Sequence, residues 1–232
     1  DCGMSLLAKA CLLQETHRNE ECHRTLDQAL KLDPSLYGAH FCRSYLFAAA
    51  GKFQDAISAV KQAVAVAPSF YDGHLQRFYL ELICHGDQGE RIRIEAEQFW
   101  NHYPTPRVNP FPAREAMANQ VLANEAPIRL LLISGDIGNH SVSCFLEPLL
   151  RGIDRARFQV VLALTHRRRE VRAQELEQLA DELLDLSGLG EEDAVEVLRQ
   201  RSCAVAIDTA GWTGYNSLRL LRHRVAPVQC HY

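Results

Sequence analysis

The sequence has no apolar run near the ~20 residues that a membrane-spanning helix needs, and it does not start on the basic-then-apolar pattern of a secretion signal. Those absences remove a membrane partner and make the cytoplasm the expected compartment. Positive charge is not in excess either. With 25 Lys and Arg against 29 Asp and Glu, the formal net charge is -4, without the clustered basic residues that recognise nucleic acid or anionic lipid. No C-x-x-C pair occurs among the eight cysteines, at 2, 11, 22, 42, 84, 144, 203 and 230, and this scatter fits neither a disulfide framework nor a zinc site. The histidines lack metal-ligand spacing, and Cys22-His23 and Cys230-His231 are adjacent pairs that project in different directions, so no metal is expected. What is present is 47% hydrophobic and 23% charged residues over 232 positions, an ordinary globular composition with room for one large domain or two small ones.

The first hundred residues repeat. Leu30-Lys31-Leu32-Asp33-Pro34 recurs as Val64-Ala65-Val66-Ala67-Pro68, the prolines 34 residues apart, which is the period of tetratricopeptide (TPR) helical hairpins. In the better repeat Ala39, Phe47, Gly51, Phe53, Ala56, Ala63 and Pro68 hold the small, aromatic and turn positions; shifted back, the set is Ser5, Leu13, His17, Asn19, Cys22, Ala29 and Pro34. Alanines at 56 and 63 let two helices cross closely, with Phe47 and Phe53 expected to fill the groove beside them. Gly51 is expected to end a helix in a left-handed cap. After Pro68 the pattern weakens to Tyr71, His74, Phe78 and Leu82, then Ala96, Phe99 and Trp100, as in an atypical last repeat. Residues 1–103 are therefore read as TPR repeats with a polypeptide partner on their concave face. More repeats are expected before Asp1, because fewer than three do not bury a continuous core.

Four prolines between His102 and Arg114 mark a linker, taken as residues 104–126, with a short polar helix expected at Glu115 to Asn124. Residues 127–232 then alternate strand-like and helix-like runs. Ile128–Ser134, Phe158–Thr165, Glu182–Leu186 and Ala204–Asp208 read as strands, with a fifth near Val228; Val142–Ile153, Glu170–Asp181 and Asp193–Gln200 read as helices. The predicted class is thus α plus α/β, helical hairpins followed by one Rossmann-like lobe with a parallel sheet. Ligands of such sheets bind past the carboxyl ends of the first and fourth strands, where strand order reverses. Those strands lead into Ser134-Gly135-Asp136-Ile137-Gly138-Asn139-His140-Ser141 and Asp208-Thr209-Ala210-Gly211-Trp212-Thr213-Gly214-Tyr215-Asn216.

At these loops the chain resembles the TPR-containing O-linked N-acetylglucosamine transferases, bacterial and plant SPINDLY-like members included. The first loop with Phe145-Leu146-Glu147-Pro148-Leu149 is similar to the family pattern; so are Ile207-Asp208 with Gly211, Thr213, Gly214 and Asn216, and Ala226-Pro227-Val228-Gln229. The order of repeats, proline-bearing linker and lobe also agrees. The resemblance implies the amino-terminal half of a GT-B glycosyltransferase. In the whole protein such an enzyme moves N-acetylglucosamine from UDP-GlcNAc to Ser or Thr hydroxyls of proteins, inverting the anomeric centre with neither metal nor cofactor. Its second, donor-binding lobe would begin past Tyr232, so this stretch alone is expected to be inactive. GDP-fucose and UDP-glucose stay open as donors. The rival from another class is a non-enzymatic TPR scaffold with a degenerate lobe.

His140 is the catalytic candidate. It follows a Gly-containing turn at a helix start, where a neutral imidazole can polarise an acceptor hydroxyl or donor oxygen, or simply bond local backbone. The resemblance favours the first role. Asp136 and Asn139 are read as loop-shaping, substrate-side residues, both types being turn and cap formers, and the backbone N–H groups near Ser141 as suited to a diphosphate. Gly211, Trp212 and Thr213 form the other wall. Trp212 stands where many family members carry histidine or tyrosine; an indole stacks on a sugar face but takes no proton. Thr213 offers a hydroxyl to a sugar or serves the turn. The run His166-Arg167-Arg168-Arg169 reaches for phosphate or, as such runs mostly do, lines a solvated face.

Overall fold

A computed structural model describes residues 2–103, 127–212 and 214–231. The chain divides into two compact units, Asp1–Pro104 and Thr105–Tyr232. The expected linker at 104–126, with its helix at Glu115 to Asn124, lies outside the described residues, and so does Thr213.

The first unit is helical. α1 (Gly3–Glu15) and α2 (Asn19–Leu32) form one hairpin, α3 (Tyr37–Ala49) and α4 (Phe53–Val66) the next, each helix starting and ending 34 residues after its counterpart. α5 (Tyr71–Cys84), a 3-10 turn (Gly86–Gln88) and α6 (Gly89–His102) follow. The period is visible in the packing: Ala29 and Ala63, and Cys22 and Ala56, are fully buried at equivalent positions. Cys22 fits in place of alanine because its thiol donates to the Ala10 carbonyl at 3.1 Å. Phe47 is half-buried against α4, as expected, but Phe53 is exposed. As the first residue of α4 its side chain lies over the incoming turn, outside the helix crossing.

α3 closes with Gly51 at φ 73°, and the Lys52 N–H reaches back to the Phe47 carbonyl at 2.8 Å, a left-handed cap of Schellman type. The first hairpin makes the same cap without glycine: His17 has φ 57°, and the Arg18 N–H meets the Leu13 carbonyl at 2.9 Å. A second repeated device links the turns to the helices after them. His40 donates from Nε2 to the Pro34 carbonyl and His74 to that of Pro68, both at 2.9 Å. Farther along, the buried carboxylate of Glu81 on α5 pairs with Lys61 of α4 at 2.8 Å and Arg91 of α6 at 3.5 Å. Burial pushes that carboxyl up, but Lys61, Arg77 and Arg91 outweigh burial and hold it below the usual range. An aromatic cluster of Tyr71, Phe78, Phe99, Trp100 and Tyr103 joins α5 to α6, with His74 stacked on Phe99 at 4.1 Å.

The second unit is a five-stranded parallel sheet, β1 (Ile128–Ser134), β2 (Phe158–Leu164), β3 (Glu182–Asp185), β4 (Val205–Asp208) and β5 (Val228–His231), in the order β3-β2-β1-β4-β5. Its helices are α7 (Ser141–Gly152), α8 (Val171–Glu177), α9 (Glu191–Gln200) and α10 (Leu218–Leu221). Both faces of the sheet are buried, which explains near-continuous apolar runs in place of alternation. Leu130, Leu132 and Leu162 face one layer with Leu146, Leu150 and Leu176; Leu131, Ile133 and Ala163 face the other with Val195, Leu198 and Leu220. α8 ends four residues before the predicted Asp181, because the chain already turns into the sheet there: the Asp181 N–H donates to the Val160 carbonyl, and its carboxylate accepts from the Val160 N–H. α9 starts two residues earlier than predicted, with Glu191, Glu192 and Asp193 in the first turn, where acidic side chains complement exposed N–H groups. α10 is an element that the sequence reading did not anticipate.

Candidate active site

Strand order reverses between β1 and β4, and the loops after those strands lie side by side at the carboxyl edge of the sheet. Gly135, Thr165 and Tyr215 bring three loops together. The Thr165 hydroxyl donates to the Tyr215 carbonyl, and a β-carbon on Gly135 would lie 2.7 Å from Tyr215 Cβ, so the β1 loop closes this tightly only with glycine there. Tyr215 is exposed and stacks on His166, centroids 4.0 Å apart and planes 11° from parallel. Beside it a cleft of about 180 Å³ runs between the ends of β2 and β3 and the β4 loop, lined in part by Thr165, Ser187, Glu191, Asn216 and Arg219.

His140 is the N-cap of α7, and its Nδ1 accepts the Val142 N–H at 3.3 Å. That bond has a chemical consequence: Nδ1 supplies the lone pair, so Nε2 carries the hydrogen and the ring is a donor on its outer side. The local bond foreseen as the bland role of His140 thus exists, and it leaves the active role open. Asp136 is buried, 3.6 Å from the Arg168 guanidinium, an ion pair between the loops that follow β1 and β2. Asn139 is exposed, and its backbone N–H donates to Glu170.

Further amides of this turn are also engaged. The Gly138 N–H donates to Ser143 Oγ at 3.0 Å, and the His140 and Ser143 N–H groups to the carbonyls of Gly138 and His140. The helix opening expected to favour a diphosphate is therefore largely served by the protein's own acceptors, with the Glu170 carboxylate where an anion would sit. The basic run is divided in the same way. Arg167 pairs with Glu177 at 2.9 Å and Arg168 lies by Asp136, while His166 stacks.

On the facing loop Gly211 has φ 63° and Trp212 is 41% exposed, so the indole is free to lie on a ligand. Asp208 is fully buried and accepts three hydrogen bonds: from Ser217 Oγ at 2.5 Å, from the Gly211 N–H at 3.0 Å, and from His231 Nδ1 at 2.8 Å. In sequence His231 is only half of an adjacent Cys-His pair. Only the parallel register of β4 and β5, which places Asp208 beside His231, shows that the two side chains leave the sheet on one face. No group of three or more His, Cys, Asp or Glu among the described residues has the arrangement of a metal site, and no helix among them is long and apolar enough to cross a membrane.

No protein-family model matches the chain, and no curated protein matches it in sequence. Among solved structures it is similar to a point mutant of the O-GlcNAc transferase of Thermobaculum terrenum, with a TM-score of 0.85 and 21% identity over 99% of this chain and 43% of that one. The chain thus spans less than half the length of that structure and shares its fold, TPR-like helical repeats followed by a Rossmann-like lobe. A second match, the second TPR domain of Spaghetti (RPAP3) bound to an HSP90 peptide, has a TM-score of 0.39 and 11% identity over 43% of this chain and 91% of that one, too low to argue from.

Proposed function

We propose that this chain is the repeat array and amino-terminal catalytic lobe of a protein glycosyltransferase, one that transfers N-acetylglucosamine from UDP-GlcNAc to Ser or Thr hydroxyls with inversion. The observation that carries the reading is the pair of loops at the strand-order reversal: one presents His140 as a neutral donor, the other an exposed indole at Trp212, within a fold shared over 99% of the chain with an O-GlcNAc transferase. His140 Nε2–H would polarise an oxygen of donor or acceptor, and Trp212 would stack on the sugar. Gly211 and Thr213 would line the same wall, with Asp136 and Asn139 shaping the opposite loop. The helical repeats would hold the acceptor polypeptide on their concave face, and the cytoplasm is the compartment this reading assigns. The nucleotide would be held mostly by a second lobe outside the residues of this chain. That division agrees with a β1 loop in which the amides of Gly138, Asn139 and His140 are already engaged.

The test is transfer of radiolabelled sugar from UDP-GlcNAc, with GDP-fucose and UDP-glucose in parallel, to a protein extract by the whole protein and its His140→Ala variant. The variant is expected to lose at least about 100-fold in rate. Transfer by a folded wild type from none of the three donors would refute the reading and leave a TPR scaffold. Transfer unchanged in the variant would remove His140 from the site.

A further inference from the structure

A second histidine at the carboxyl edge of the sheet has the opposite hydrogen-bonding polarity to His140. The three groups that meet the Asp208 carboxyl are all donors: a hydroxyl, a backbone N–H and an imidazole nitrogen. Three donors on two oxygens are what a carboxylate accommodates. His231 Nδ1 therefore carries the hydrogen, and Nε2 holds a lone pair. Among the described residues Nε2 has no hydrogen-bond partner, and the side chain is 46% exposed over a carboxylate that is 0% exposed. Gly211 keeps that nitrogen open. A β-carbon at 211 would stand 3.3 Å from His231 Cε1 and 3.7 Å from Nε2, so any side chain there would cover the edge that bears the lone pair. A buried aspartate that fixes the tautomer and direction of a half-exposed imidazole is the arrangement of a general base.

We propose that His231, oriented by Asp208, accepts the proton of the attacking hydroxyl; this rests on the glycosyl-transfer reading above. β4 alone separates β1 from β5, so the strands leading to His140 and ending in His231 are about two strand spacings, or ~10 Å, apart. In the step, the hydroxyl oxygen bonds to the anomeric carbon as its proton passes to Nε2. The bond from that carbon to the diphosphate oxygen breaks, and its electron pair leaves with the nucleoside diphosphate. Asp208 stabilises the imidazolium, which then releases its proton to water.

The competing role is a strap tying β5 to β4, and asparagine at 231 separates the two. Its amide N–H takes the place of Nδ1 and keeps the bond to Asp208, but nothing replaces Nε2. In the whole protein, His231→Asn is expected to keep its melting temperature and acceptor KM and to lose about 100-fold or more in kcat. His231→Gly should regain transfer with added imidazole. In long-range 1H–15N spectra of the chain, the His231 ring should show hydrogen on Nδ1. A wild-type kcat in His231→Asn, or hydrogen on Nε2, overturns the proposal and leaves glycosyl transfer standing. A wild type that moves no sugar from any of the three donors removes transfer and the role of His231 together.

Discussion

The ring nitrogen that is engaged distinguishes the histidines of the repeats from the one that orients on Asp208. In the repeats, His40 and His74 donate from Nε2 to proline carbonyls while Nδ1 is buried without a partner. For His74, burial holds the imidazole below its ordinary value, and Arg77 adds to this against the opposing bond to the Pro68 carbonyl. A histidine in an unfolded chain titrates near 6.5. Above that pH both states are neutral and the native contacts contribute fully; below it the unfolded chain takes up a proton that the folded ring resists, so stability falls on acidification. Thermal melts at pH 7.5 and 5.0 should show a smaller acid loss in His74→Gln than in wild type, because the amide still reaches Pro68 without titrating. His23 is shifted in the same direction by burial, so the slope flattens without vanishing. An identical slope in the variant would remove His74 as a source of the acid sensitivity.

At the scale of elements, the two hairpins make one cap in two ways, with glycine at 51 and histidine at 17. A side chain in the left-handed region is strained by its own β-carbon. His17→Gly should therefore raise stability by about 0.5–1 kcal/mol, net of the greater freedom of an unfolded glycine. Gly51→Ala should lower it by about 1 kcal/mol, and denaturant unfolding of both variants checks the pair. A loss of stability in His17→Gly would show that the imidazole contributes more than its backbone costs. Gly51 also marks where sequence reading succeeds. Proline spacing, buried alanines and strand-helix alternation are local signals, and they place the hairpins and β1 to β5 to within a few residues. The fit of Tyr215 over Gly135, the Glu170 carboxylate on the Asn139 amide and the Asp208 to His231 bond each join residues far apart in sequence, brought together only by strand order and register. For that reason the helix start at His140 was legible in the sequence, and the bond from His231 to Asp208 was not.

At the scale of the molecule, each unit has its own apolar core, one built on Leu6, Leu13, Leu26 and Leu46 and the other on the two faces of the sheet. The chain's two tryptophans fall one to each unit. Trp100 sits on α6 among Tyr71, Phe99 and Tyr103, and Trp212 stands 41% exposed in the β4 loop. The protein thus carries two intrinsic fluorophores, each of which reads out one unit. Iodide should quench Trp212 more than the half-buried Trp100. In Trp212→Phe the remaining emission follows unfolding of the repeats, and in Trp100→Phe that of the lobe. Different urea midpoints in the two variants would show that the units melt separately, while one shared midpoint would show that they unfold as a single cooperative body. A ligand that settles on the indole at the sheet edge would then register as a change in Trp212 emission, with no label added to the protein.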